Sequence, residues 1–348
     1  MRYVVHHLPS PSAPVTRRQS RFEQRYHAVR TIRAGDTSPS ARATVVDALT
    51  APEPLLVAAA ARAAQDLGSP ELGPAVASAL SRSLIQLDEH GHKADPGCTA
   101  KLALVEALDA LAPREDGLLL RCARLRQWEW DPGVQARVDV AGRVRARAAL
   151  ALVNRDHPAS TLILAEHLGD DDARLRQETV DTLGYLRGEV AVALLALRLA
   201  AGEPDPEVRG AVFAGLIKLN PDYGVQKAIA ALESDDPDDR SCAALALAAS
   251  HLPTAAPALI AWRARSITAA ERALAITALG MHRSEAARDT LLDEIAEGDR
   301  VCVEAAIHAL ATFSRNPELD HHLRAAAARS VYAGVAWLDR ALAAAAAS

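Results

Sequence analysis

The sequence predicts an all-α fold, an α-solenoid (superhelix) of about nine helix pairs closed by a C-terminal capping helix. Three observations carry this. Leu152, Leu183, Leu216, Leu247, Leu279 and Leu310 stand 31, 33, 31, 32 and 31 residues apart. Seven residues before the first five stand Arg145, Arg176, Arg209, Arg240 and Arg272, with Val303 before the sixth. Half the residues are hydrophobic, mostly Ala and Leu, and only 3% are aromatic, a composition suited to closely packed helices. A fixed period of this length marks stacked units, each leaning on its neighbours.

The clearest unit opens at Asp205-Pro206-Glu207-Val208-Arg209. Asp205 is a good N-cap, because its carboxylate can accept free first-turn amides. Pro206 suits the first helical position, where its missing N–H costs nothing. Val208, Val212, Leu216 and Leu219 then share one face. Towards the N-terminus the same register is kept by Leu108 after Lys101, Leu67 after Ala60 and Ile32 after Arg25, at wider spacings of 44, 41 and 35 residues that imply insertions.

In chain order, residues 1–18 hold Pro9, Pro11 and Pro14 among Ser and Arg and read as a flexible basic arm. Residues 19–348 read as a single repeat array. Helices are expected at 20–33, 39–50, 54–67 (with Gly68 as C-cap), 70–87, 98–112 and 115–128. Insertions fall at 88–97 and 129–140, the second turning at Asp131-Pro132-Gly133. The regular part follows at 141–153, 158–168, 172–187, 189–201, 206–219, 222–233, 237–250, 254–265, 268–281, 284–297, 299–313 and 317–328. Prolines at 158, 221, 253 and 317 punctuate it. The segment 329–346 breaks the period and reads as the cap that closes an apolar end.

A unit of this length opening Asp-Pro-x-x-Val-Arg resembles the short bacterial HEAT repeat, the variety also found in phycobilin lyases. Asp171-Asp172-Ala173-Arg174-Leu175-Arg176 and Asp236-Pro237-Asp238-Asp239-Arg240 are looser copies, and the resemblance covers roughly 52–316. The stretch from Asp95 to Lys101 is similar to a recurring feature of bacterial HEAT proteins to which no function is attached. The resemblance implies that the Arg-bearing helix is the outer one, with the second helix of each pair lining a concave side. Arg in place of nearly all Lys, with abundant Ala, suggests a high-GC bacterial source.

The net charge of −5 argues against a general nucleic-acid binder. Eight arginines in residues 1–46 face only Glu23 and Asp36, so a basic head sits on an acidic body. Cys98, Cys122, Cys242 and Cys302 form no paired motif and read as reduced thiols of a cytoplasmic protein. No run approaches a membrane span.

Lys101, Arg145, Arg176, Arg209, Arg240 and Arg272 read as structural rungs, each bonding to acidic side chains or carbonyls of a neighbouring turn. His90 and His92, with Asp88 or Asp95 and Cys98, could close a zinc site in principle, but the loop lacks fixed ligand spacing and no metal is expected. Arg121, Arg124 and Arg126 precede Trp128-Glu129-Trp130, which pools two of the four tryptophans. Trp and Arg dominate interface hot spots. Two readings stay open: the tryptophans fill the gap left by an oversized repeat, or they touch a partner, with Trp128 leaning to packing and Trp130 to contact. Trp262, Arg263 and His321 are further partner candidates.

No catalytic constellation appears: there is no phosphate loop, nucleophile elbow or H-E-x-x-H. HEAT proteins similar to deoxyhypusine hydroxylase bind iron through His-Glu pairs, and none of the 12 His here precedes Glu. The expectation is a non-catalytic scaffold that binds another protein, without cofactor. The alternative is a HEAT-type enzyme or cofactor-handling protein, bilin-lyase-like or DNA-glycosylase-like, working in the concave groove.

Overall fold

The computed structural model describes residues 17–36, 38–67, 73–111, 115–186, 188–311, 313 and 317–347. The arm expected at 1–18 lies outside the described residues as far as Thr16, as do the Gly68 cap and the Asn316 turn. The chain forms two compact units, Met1–His167 and Leu168–Ser348. Nineteen α-helices are described, and the fold is all-α and solenoid-like in its packing. None of the described helices is long and apolar enough to cross a membrane.

The first unit holds α1 (Arg17–Arg30), α2 (Pro39–Leu49), α3 (Pro54–Asp66), α4 (Gly73–His90), α5 (Thr99–Leu111), α6 (Asp116–Cys122), α7 (Gly142–Asn154) and α8 (Ser160–Leu168), which ends one residue past the unit boundary. Helix α3 packs on α1 and α5, α5 on α7, and α2 on α4, so like helices of successive pairs stack on one another. Ser38 caps α2 through Ala41 N at 3.1 Å.

The second unit holds α9 (Ala173–Leu186), α10 (Glu189–Ala200), α11 (Pro206–Leu219), α12 (Pro221–Ala231), α13 (Pro237–Ser250), α14 (Ala256–Arg265), α15 (Ala269–His282), α16 (Glu285–Glu297), α17 (Arg300–Ala311), α18 (Pro317–Arg329) and α19 (Ala336–Ala347). Helices α9, α11, α13, α15, α17 and α19 form one continuous row of contacts, and α14, α16 and α18 a second. Asp205 caps α11 through Glu207 N and Val208 N, and Asp236 caps α13 through Asp238 N. Thr268 and Glu271 close a full capping box on α15.

The period-marking leucines point inward throughout: Leu67, Leu108, Leu152, Leu183, Leu216, Leu247, Leu279 and Leu310 are all buried. Alanines between them let the helices approach closely. At Gly280 an added Cβ would lie 2.6 Å from Ala309 Cβ, and at Gly224 it would lie 2.4 Å from Ile217 N.

The structure corrects the sequence reading at three places. Helix α6 stops at Cys122 rather than 128, because the carbonyls of Ala123 and Leu125 are taken by His167 Nε2 and Arg145 Nη1 instead of by later amides of the chain. Residues 129–140 are not a loop but part of an antiparallel β-hairpin, β1 (Trp128–Asp131) and β2 (Ala136–Asp139). The C-terminal helix starts at Ala336 rather than 329, after a turn in which Gly334 adopts φ +76°.

Candidate interface at the inserted hairpin

The hairpin arises from side-chain alternation. Trp128-Glu129-Trp130 has the period of two and the aromatic content that suit a strand. Asp131 Oδ1 accepts from Gly133 N at 2.7 Å and folds the chain back, as short polar side chains do in turns. Gln135 supplies the left-handed residue, φ +53°. The register pairs Trp128 with Asp139, Glu129 with Val138, Trp130 with Arg137 and Asp131 with Ala136.

One side of this ribbon is bolted to the helices. Glu129 Oε1 accepts from Gly97 N at 2.9 Å and from Gln127 Nε2 at 2.7 Å. Gln127 Nε2 also donates to Asp95 O at 2.8 Å, and Gln127 Oε1 accepts from Lys101 Nζ at 2.5 Å. Lys101 is 1% exposed and Asp95 is 0% exposed. Both Asp95 oxygens are spent capping α5, through Ala100 N at 3.0 Å and Lys101 N at 2.8 Å. A buried ammonium is costly unless it is well hydrogen-bonded, so Lys101 fixes where Gln127, and hence β1, must sit.

Asp139 ties down the other strand. Its Oδ1 accepts from Gln127 N and Ala141 N, both at 3.0 Å, and its Oδ2 accepts from Arg126 at 2.9 Å and from buried Arg145 at 2.5 Å. Burial would raise the Asp139 carboxyl, but these amides and guanidinium groups overcome it and hold it below the usual carboxylate range.

The face opposite Glu129 holds buried Asp139 at its base and exposes its tryptophans. Trp128 is 52% exposed and Trp130 is 64% exposed. Two positions apart on one strand, they share a face. Val134 at the turn is exposed as well. The packing role expected for Trp128 is therefore corrected: it opens a strand rather than ending a helix, and half of it is exposed. Trp130, expected in a loop, lies in the same strand and is exposed.

The other candidates scatter. Arg121 pairs with Asp88 at 2.5 Å, and Arg124 grips Glu166 through two bonds of 2.9 and 2.7 Å. Both lie in the unit that carries the hairpin. Trp262 is buried at 3% exposure and belongs to the core of the second unit, which corrects its reading as a contact residue. Arg263 pairs with Glu294 at 2.5 Å in a mostly buried position. His321 is exposed beside His322, with ring centres 6.0 Å apart.

The zinc candidates are occupied otherwise. His90 Nδ1 donates to Gln86 O at 2.7 Å, and Asp95 is the α5 cap. Cys98 is buried, and burial pushes its thiol, like that of Cys122, up to about 12. No group of three or more His, Cys, Asp or Glu side chains that could hold a metal ion occurs among the described residues.

The repeat cations are rungs. Arg176 bonds Glu203 at 2.9 and 2.6 Å and Asp170 O at 2.8 Å. Arg209 reaches Asp236, Asp239 and Glu203 O. Arg240 reaches Glu271 and Ser234 O, and Arg272 reaches Asp299 and Ile267 O. Each thus ties the turn just before it to the turn opening the next pair. Lys101 and Arg145 occupy the same repeat position but turn to the hairpin side chains instead.

Sequence reasoning missed Gln127, Glu129 and Asp139 as the parts that position the hairpin. The signal was present in the alternation of 128–131 and in the polar Asp139 just before a helix.

No family model and no curated protein matches this chain. Among solved structures it is similar to an engineered protein from the Northeast Structural Genomics Consortium, at 16% identity and TM-score 0.34, covering 94% of this chain and 95% of that one. It is also similar to human deoxyhypusine hydroxylase in complex with glycerol, at 21% identity and TM-score 0.29, covering 78% and 92%. Both scores are low, and the fold assignment rests on the chain's own helices and their contacts.

Proposed function

We propose that the chain is a non-catalytic scaffold of HEAT-like repeats that binds another protein, with the tryptophan face of the hairpin as its contact. One observation carries this. Two tryptophans stand more than half exposed on a strand whose other face is anchored by Glu129, which accepts from Gly97 N and from Gln127, itself held by buried Lys101. Rigid aromatic side chains lose little entropy on contact, and such residues concentrate binding energy. An inserted element in a repeat array commonly carries the binding face. The HEAT-like assignment is supported by the period and by the arginine rungs. A cytoplasmic location is supported by four buried free thiols.

The test pairs a pull-down with a thermal melt of the Trp128→Ala/Trp130→Ala protein. The partner should be lost while the melting temperature moves by no more than about 2 °C, since exposed substitutions change stability by roughly 0.5 kcal/mol or less. Retention of every partner by the double variant would overturn the reading.

A further inference from the structure

The tryptophan face also carries a charge pattern, whose meaning depends on the docking role proposed for the hairpin. The segment 121–140 contains Arg121, Arg124, Arg126 and Arg137 against Glu129, Asp131 and Asp139. Each of the three carboxylates is engaged through at least one oxygen within the ribbon and its anchor. Glu129 serves Gly97 N and Gln127, Asp131 serves Gly133 N, and Asp139 serves two amides and two arginines. Arg137 differs from the other three arginines, which pair with Asp88, Glu166 and Asp139. Arg137 lies directly across from Trp130 in the register, so the two share a face. Arg137 is exposed and makes no ion pair among the described residues. Arg126 and Arg124 stand about half exposed at the base of the ribbon, with side-chain exposures of 47% and 50%.

We infer that the occupant of this face is an acidic protein segment that alternates carboxylates with apolar side chains. The apolar groups would lie on Trp128, Trp130 and Val134, and a carboxylate would meet Arg137. The match is one of charge complementarity: the face offers the uncommitted Arg137 beside apolar area, while Asp139, which lies across from Trp128 on the same face, is buried and already engaged by two amides and two arginines. A polyphosphate backbone fits less well. It demands several uncommitted cations in a row, whereas Arg124 and Arg126 are already paired with Glu166 and Asp139. A segment with a few separated carboxylates asks for only one or two.

The test uses the full chain and dye-labelled synthetic peptides, read by fluorescence anisotropy. One peptide alternates Glu with Leu and Phe, and its counterpart has Lys for every Glu. A single-stranded oligonucleotide is the third probe. The Glu peptide should bind saturably, with the Lys peptide at least about tenfold weaker, a difference of about 1.4 kcal/mol. Trp128→Ala/Trp130→Ala should abolish binding. Arg137→Glu should reverse the peptide preference while the melting temperature holds, because the side chain is exposed. Failure of the Glu peptide to bind, equal binding of the two peptides, stronger binding of the oligonucleotide, or a preference untouched by Arg137→Glu would each overturn the inference. Self-association in sedimentation that disappears in the double tryptophan variant would also overturn it, by assigning the face to a second copy of the chain. If the pull-down shows tryptophan-dependent capture while these peptides fail, the docking role stands and the acidic occupant is overturned.

Discussion

Arg176 and Glu203 show how a buried charge pair becomes a fastener here. Both are nearly inaccessible, and a second guanidinium, Arg198, approaches Glu203 at 2.7 Å. Burial alone would raise the Glu203 carboxyl. The bonds from Arg176, from the Asp205 amide and from Arg198 outweigh it and bring the group down to about 2, from an ordinary value of 4.5. A carboxyl held lower in the folded state contributes stability that is present above the unfolded value and is lost as pH falls through the folded one. The native protein should therefore lose stability steadily between about pH 4.5 and 2. Glu203→Gln should begin roughly 3 kcal/mol lower at pH 7, since breaking a buried pair strands its partner, and should lose less across that window. Urea melts at pH 7, 4 and 3 check this, and parallel pH curves for the two proteins would contradict it. The arginine spacing alone announced these rungs. Their carboxylate partners were not legible, because Glu203 and Asp299 belong to the turn that opens the next pair.

At the scale of single elements the hairpin separates anchoring from display. Asp139→Ala removes an acceptor shared by two backbone amides, Arg126 and buried Arg145. It should lower the melting temperature and also loosen the tryptophan face, seen as greater solvent quenching or mobility of Trp128 and Trp130. Trp128→Ala/Trp130→Ala should do the converse, sparing the melt and losing the partner. A stable Asp139→Ala protein with unchanged tryptophan signals would show that the anchor is dispensable. Helix packing gives an independent prediction. Gly224→Ala would drive a methyl group into the Ile217 backbone at 2.4 Å, and overpacking of this kind costs about 1–3 kcal/mol, which a denaturant melt would register; no change would mean α12 can shift freely against α11. Helices with strong repeat marks, such as α11 and α13, were readable to within a residue. The hairpin was not, because Leu118, Leu119, Leu120 and Leu125 extend an apolar run that reads as helix through Trp128. The partners of the carbonyls where the helix stops, His167 and Arg145, lie far away in sequence.

For the whole molecule, the informative fact is that most contacts link neighbours. In the second unit α9 meets α11, α11 meets α13, α13 meets α15 and α15 meets α17. Stability in such an array is close to a sum of unit terms and interface terms, so damage should remain near its origin. Glu203 sits between α9 and α11, joining Arg176 to the turn that opens α11. Glu203→Gln should therefore speed amide exchange most in α9 and α11, less in α13, and least in α17 and α19. If the lost stability, about 3 kcal/mol, is confined to that interface, protection there should fall by about a hundredfold. Hydrogen exchange read by mass spectrometry at pH 7 resolves these helices separately. A graded profile along the row would support nearest-neighbour coupling. A uniform rise from α9 to α19 would instead mean that the unit opens as one cooperative block, with the arginine rungs stabilising all of it at once.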